Sequence, residues 1–248
     1  MTNRKAAKKQ ASTAPRYLEI ARDIEQAILS GRWAPGHRVP TETELTKRYS
    51  CARMTVSKAV SSLAHAGLIE RRRRLGTFVA VPRRQAAVLE VRDLKDEIVA
   101  RGSTYRYQLL SRTLGRALAP EAAKLGLTKG APILRVKALH IASDAPFSLE
   151  ERLINVGEVP RAAEEPFTQV SAGAWLIAHI PWTDAEHRIS ATSAGAFESD
   201  KLQIAPQSAC LVVERQTWRL DRAITYVRLV FPEKTMHYLM ARFTPRQN

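Results

Sequence analysis

The stretches Pro35-Gly-His-Arg-Val-Pro-Thr-Glu-Thr-Glu-Leu45, Ala52-Arg-Met-Thr-Val-Ser-Lys-Ala-Val60 and Leu75-Gly-Thr-Phe-Val79 decide the fold of the first third of this chain. Thr41 followed by Glu44 is a capping box. The hydroxyl accepts from a free amide of the first helical turn, and the carboxylate accepts in return from the cap amide. It starts a short helix that carries Leu45 and Tyr49 inward. Ser50–Ala52 is a turn, and a further helix runs from Arg53 to His65 with Val56, Ala59, Val60 and Leu63 as its buried stripe. Gly67 closes that helix. Leu68–Arg71 and Thr77–Val81 then read as two short strands around Arg72-Arg73-Arg74-Leu75-Gly76.

Upstream, Tyr17, Ile20, Ala21, Ile24 and Ile28 recur at helical spacing, so Tyr17–Ser30 is an amphipathic helix ended by Gly31. Helix, turn, helix and hairpin in this order place the N-terminal residues of the third helix where a helix enters the major groove. Arg53 there carries a fork of donors suited to guanine O6 and N7. Thr55 and Ser57 reach phosphates or base edges, and Lys58 a phosphate. A lone residue of this kind is more often a solvated helix face; the surrounding order of elements reverses that preference. Four arginines at a hairpin tip repel one another unless an anion lies opposite, which makes the hairpin a wing on backbone or minor groove.

The charge is placed to match. The 248-residue chain has a net charge of +15; residues 1–84 hold 18 Lys+Arg against 6 Asp+Glu, and the remainder 21 against 18. A surplus packed into one small region argues for a polyanion partner. The two cysteines, Cys51 and Cys210, are too far apart to define a disulfide framework or a metal site. No apolar run approaches the ~20 residues of a membrane span. Residues 1–14 read as a disordered basic arm, 15–81 as the DNA-reading domain, 82–89 as a linker and 90–245 as a second domain, in a cytoplasmic protein.

In that larger part, Val91–Arg101, Pro120–Leu127, Ala172–His179 and Phe197–Ile204 have helical patterns. Arg106–Leu114, Ile133–Ile141, Phe147–Asn155, Arg188–Ser193, Leu211–Arg219 and Ile224–Phe231 read as strands. This is an α+β domain on an antiparallel sheet, without an internal repeat. Strand periodicity puts Arg135 with Lys137, Ser148 with Glu150 and Arg152, and Tyr226 with Arg228 on shared faces. Charged groups on a sheet face are wet, paired or liganded. Salt bridges such as Glu150 with Arg228 are one reading; three such faces in one domain favour a cleft for a small anionic ligand. His179 lacks a second ligand at helical spacing, and His187 stands beside Asp184 and Glu186, read as a turn cap, so no metal or cofactor is expected. No nucleophile–base pair or phosphate-cradling glycine loop supports an enzyme.

Pro35-Gly36, Pro40-Thr41-Glu42, Arg53-Met54-Thr55-Val56, Ala59, Gly67-Leu68-Ile69 and Gly76-Thr77-Phe78-Val79 resemble the winged-helix domain of GntR-family bacterial transcription regulators. The resemblance implies DNA contacts from Arg38, Thr41, Glu42, Arg53, Thr55, Ser57, Lys58, Arg72, Arg73, Arg74, Gly76 and Thr77. Three positions depart from the family pattern: Ala52 stands for a serine, Ser57 for a basic residue and Arg74 for a wing glycine. Residues 88–244 resemble the sensing (UTRA) domain of the HutC subfamily, related in fold to chorismate lyase. Phe147–Arg152, Trp182–His187 and Tyr226–Pro232 are most like its branch that controls histidine degradation. The resemblance implies a homodimeric repressor on a palindromic double-stranded operator, released by urocanate, with Arg135, Lys137, Glu150, Arg152, Tyr226 and Arg228 as effector contacts. A repressor answering to a sugar phosphate or amino-sugar phosphate is the alternative, and a lyase-like enzyme the reading least supported.

Overall fold

The computed structural model describes residues 15–81 and 93–235. The expected basic arm, the linker 82–89 and the stretch from 236 onward lie outside the described residues.

The first unit packs α1 (Arg16–Leu29), α2 (Glu42–Tyr49) and α3 (Arg53–His65) against the hairpin β1 (Ile69–Arg72) and β2 (Gly76–Val79). The expected capping box is formed: Glu44 N–H donates to Thr41 Oγ1 at 3.2 Å and Thr41 N–H donates to Glu44 Oε2 at 2.7 Å. The Thr41 amide, followed by the Thr41 hydroxyl, holds the exposed Glu44 carboxyl below its ordinary value. Ile20, Ile24, Leu45, Val56, Ala59, Val60, Leu63, Leu68 and Val79 form one buried core. The hairpin gains a third strand-like partner, because Val39 N–H donates to Thr77 O and Val79 N–H to His37 O. Arg72 and Gly76 are paired strand residues, so the turn itself is Arg73-Arg74-Leu75. Arg74 sits at φ +66°, the left-handed conformation that a glycine adopts without strain.

The second unit is a six-stranded antiparallel sheet in the order β3-β4-β5-β8-β7-β6. Its strands are β3 (Tyr105–Arg116), β4 (Pro132–Ala142), β5 (Ala145–Asn155), β6 (Asp184–Ser193), β7 (Ala209–Arg219) and β8 (Arg222–Pro232). Its helices are α4 (Leu94–Ala100), α5 (Ala119–Leu125), α6 (Ala172–His179) and α7 (Ala196–Leu202). The order reveals a duplication that the sequence hides. Strand, helix and hairpin follow one another as β3-α5-β4-β5 and again as β6-α7-β7-β8, and the halves meet where β5 pairs with β8. The two halves share architecture without shared residues, which is why a search for repeats misses it.

The two faces of the sheet are dressed differently. α5 and α7 cover one, through Ala122 and Leu125 on Ile133 and through Leu202 on Leu139, Leu149 and Val230. This outer face also carries the odd-numbered charges of β4. The inner face is covered by α4 at one end, where Leu94 and Ile98 meet Val213, Val227 and Leu229. α6 covers the other end, where Trp175, Leu176 and Ile180 meet Leu134, Val136, Ile154 and Ile224. Trp175 also meets Phe167 edge to face at 5.7 Å. Between the two helices the inner face is polar.

Candidate functional site

On the winged unit, Arg53 opens α3 with 85% of its side chain exposed, 3.7 Å from Glu42. Glu42 also takes the Arg71 guanidinium at 3.3 Å, and Arg71 reaches Ser61. Glu42 therefore ties the start of the recognition helix to the wing. Thr41 closes α2. For both residues the structure shows roles within the protein, beside the DNA contact that the sequence suggested. Lys58 lies 4.1 Å above the Tyr17 ring, held by a cation–π contact. Arg16, Tyr17, Met54, Thr55, Ser57, Lys58 and Ser61 line one open depression. Met54, 79% exposed, is an apolar residue on this face that was not among the expected DNA contacts. On the wing, Glu70 accepts from Arg72 Nε at 2.7 Å, and Arg72 stacks on Phe78. Gly76 lets Arg38 approach: a Cβ there would stand 3.3 Å from Arg38 Nε. Thr77 follows on β2. Arg73 and Arg74 are exposed and make no ion pair among the described residues. The face thus combines a positive helix start with a positive wing tip.

The six effector candidates are divided by the sheet. Glu150 and Arg152 project from β5 to the inner face, 2% and 4% exposed. Arg152 Nε donates to Glu150 Oε1 at 2.6 Å, and Glu150 Oε2 faces His140 Nε2 at 2.9 Å. His140 Nδ1 lies 3.0 Å from the Tyr105 hydroxyl. Burial pushes the Glu150 carboxyl up, but Arg152 and His140 outweigh it and hold it well below the carboxylate range. Burial raises the phenols of Tyr105 and Tyr107 well above their ordinary value.

The other four candidates are on the outer face and are paired. Arg135 forms a two-pronged contact with Glu121 at 2.6 Å, and Lys137 meets Glu151 at 2.5 Å. Arg228 lies between Glu151 at 3.6 Å and Glu198 at 3.2 Å, so the expected Glu150–Arg228 bridge is replaced by these pairs. Tyr226 donates to Glu214. The reason is register: Leu153 stands opposite Tyr226, and Glu151 opposite Arg228, one step out of phase with Glu150 and Arg152.

The same register exposes what sequence reading missed. In one row across the inner face stand Val136, Arg152, Val227, Arg215 and His187. Arg215 is buried, and burial together with the charge of Arg152 lowers its guanidinium to about 10. Asp184 and Glu186, read as solvating or capping a turn, belong with His187 to strand β6, and burial followed by Arg215 lowers His187 to about 4. The available signal was alternation: Val213, Arg215 and Thr217 share parity in a strand otherwise rich in apolar residues. α6 roofs this row. Its first turn, Ala172-Gly173-Ala174, is small enough for its backbone to approach the sheet, and a Cβ on Gly173 would stand 3.0 Å from an Arg152 nitrogen. A cleft of about 20 Å³ remains, lined by Arg152, Arg215, Thr217 and Thr225 on the sheet and by Leu176, Ile180 and Trp182 above. Among the described residues no cluster of metal-ligating side chains occurs, and no helix is long and apolar enough to cross a membrane.

The two units touch. Glu25 of α1 meets Arg219 at 3.5 Å and also pairs with Arg222, both on the β7–β8 hairpin, and Glu158 meets Arg219 at 2.5 Å. Arg219 is fully buried.

A winged helix with a basic face, joined to an α+β antiparallel-sheet domain with a roofed polar cleft, defines a ligand-sensing DNA-binding regulator. Residues 16–79 match the model of the gntR family of bacterial regulatory proteins, and residues 100–237 match the UTRA domain. The chain belongs to the GntR family, in its HutC subfamily, and is a transcriptional repressor rather than an enzyme. It is 37% identical to the histidine utilization repressor of Pseudomonas aeruginosa, over 93% of this chain and 92% of that one. It is 33% identical to that of Klebsiella aerogenes, over 94% and 97%. Among solved structures, the C-terminal domain of the histidine utilization repressor from Pseudomonas syringae is 28% identical, with a TM-score of 0.53 over 57% of this chain and 99% of that one. PhnF from Mycobacterium smegmatis shares the fold, with a TM-score of 0.57 at 22% identity over 91% and 100% of the chains.

Proposed function

We propose that this repressor controls histidine-degradation genes, binds a palindromic operator as a homodimer, and is released by urocanate. The observation that carries this reading is similarity along both units to repressors named for histidine utilization. The groups around the cleft suit it once the α6 roof lifts, since at about 20 Å³ the closed cleft admits little more than a water. Urocanate joins a carboxylate to an imidazole through a flat apolar link. The inner face offers guanidinium groups for the first, the Glu150–His140 pair for the second, and Leu176, Ile180 and Trp182 for the link.

Two recognition helices related by a two-fold axis meet successive major grooves at a spacing set by the duplex repeat. Urocanate in the cleft favours an arrangement in which that spacing is lost, so operator and ligand weaken each other by one shared factor.

Fluorescence anisotropy of a labelled duplex from upstream of histidine-degradation genes, at fixed salt with and without urocanate, tests the reading. Tight binding released by urocanate is the expected result. Tight binding indifferent to urocanate rejects the ligand, and absence of specific binding rejects the histidine pathway.

A further inference from the structure

The inner face contains more hydrogen-bonding capacity than the protein uses. Tyr107 Oη, Ser148 Oγ and His187 Nε2 are buried without a hydrogen-bond partner among the described residues. Arg215 is 9% exposed and makes no hydrogen bond or ion pair among the described residues. A buried guanidinium without a counter-ion is costly to hold in a folded core.

Arg152 and Arg215 both line the cleft beneath α6. Glu150 is the carboxylate in contact with Arg152, and its second oxygen is taken by His140. Glu150 and Asp93 act on Arg215 through space, and the Asp93 carboxylate accepts from the Lys95 amide at the start of α4. His187, directly opposite Arg215 on the neighbouring strand, is neutral at pH 7. Arg215 thus lines the cleft with no acceptor bonded to it among the described residues.

We propose that Arg215, with Arg152 two strands away in the same row, is the anchor for the carboxylate of a small planar monoanion. A carboxylate presents two oxygens to the open donors of a guanidinium. The roof of Leu176, Ile177, Ile180 and Trp182 is apolar and suits an unsaturated or aromatic body. Two strand spacings of about 4.8 Å set the backbones of Arg152 and Arg215 roughly 10 Å apart. Two extended guanidinium groups span that distance with a carboxylate between them. The inference deepens the cleft reading and does not require the ligand to be urocanate.

Calorimetric titration of the full chain tests it. The probes are urocanate, urocanate methyl ester, imidazole propionate and 4-hydroxybenzoate; the proteins are the parent, Arg215→Gln, Arg215→Lys and the outer-face control Arg135→Gln. The parent is expected to bind an acid at least 30-fold more tightly than its ester. Arg215→Gln should remove that preference, Arg215→Lys should restore part of it, and Arg135→Gln should leave it intact. Circular dichroism checks that each variant folds; if Arg215→Gln does not, the acid-to-ester ratio of the parent and of Arg215→Lys decides. Ester bound within threefold of the acid overturns the proposal, as does urocanate affinity unchanged in Arg215→Gln; the latter leaves the urocanate reading standing. Binding of another monocarboxylate but not urocanate, with the same dependence on Arg215, retains the anchor and rejects urocanate. Binding of none of the carboxylates rejects the anchor.

Discussion

Single residues here show how position decides what a charge does. Arg53 and Arg74 are both exposed arginines of the winged unit, but only Arg74 is strained, at φ +66°. Arg53→Ala is expected to cost about 1–3 kcal/mol of specific operator binding, read as a loss of discrimination between operator and scrambled duplex. Arg74→Gly should behave differently. Relief of the left-handed backbone should stabilise the winged unit by about 1 kcal/mol. If the guanidinium meets a phosphate, the slope of log K against log salt should also fall by roughly 0.9. Thermal denaturation and salt titration measure the two effects separately. His187 gives a pH test. Its folded value of about 4 lies below the ordinary histidine near 6.5, so the unfolded chain binds the proton first. The stability this residue contributes is complete above about pH 6.5 and declines as the pH falls towards 4. Urea unfolding at pH 7.5 and pH 5 should show a smaller acid loss in His187→Phe than in the parent. An equal loss would mean that the ring protonates freely in the folded state.

At the scale of elements, α6 is where sequence and structure agree on position and differ in consequence. Its bounds, Ala172–His179, are plain in the apolar run Trp175-Leu176-Ile177. Its task as a roof depends on strands far away in the chain, and periodicity within one segment does not report those. The winged unit was legible because its signals are local: a capping box, a buried stripe, a glycine, a hairpin. The sensor strands were legible one by one, to within a few residues at their ends. Which of their faces met which helix was not, because Glu150 and Tyr226 differ only by register across β5 and β8. Parity within β7 marked Arg215, but its meaning needed the neighbouring strands. The small first turn of α6 yields a direct test. Gly173→Val should drive methyl groups into Arg152 and the cleft, lowering ligand affinity at least tenfold while leaving operator binding unchanged. Calorimetry and anisotropy on one preparation would show a repressor that no longer releases; normal release would place the ligand elsewhere.

For the whole molecule, the question is how a cleft on the sensor sheet reaches helices that read DNA. β7 offers a continuous route. Arg215 and Thr217 line the cleft, and Arg219, on the same strand, meets Glu25 of α1. Glu158 and Glu25 face Arg219 and Arg222 from two elements, so the hairpin tip is held by both units at once. Trp182 lines the same cleft, and the adjacent Thr183 approaches Gly67 beside the wing, where a Cβ would stand 3.0 Å from its methyl carbon. A ligand that moves Arg215 or the α6 roof thus acts on a strand whose end grips the DNA-binding unit. Glu25→Gln tests this coupling without touching either binding surface. Glu158 still neutralises Arg219 in the variant, so folding should persist. Operator affinity in the absence of ligand should change little. The factor by which ligand weakens operator binding should shrink by about 2–30-fold, the effect of roughly 0.5–2 kcal/mol of coupling. Linkage demands that the operator's effect on ligand affinity shrink by the same factor. Anisotropy with and without ligand, matched by calorimetry with and without operator, measures both ratios. If both stay within twofold of the parent, the Glu25 contact holds the units together but does not transmit the signal, and the Trp182–Thr183 corner becomes the element to alter next.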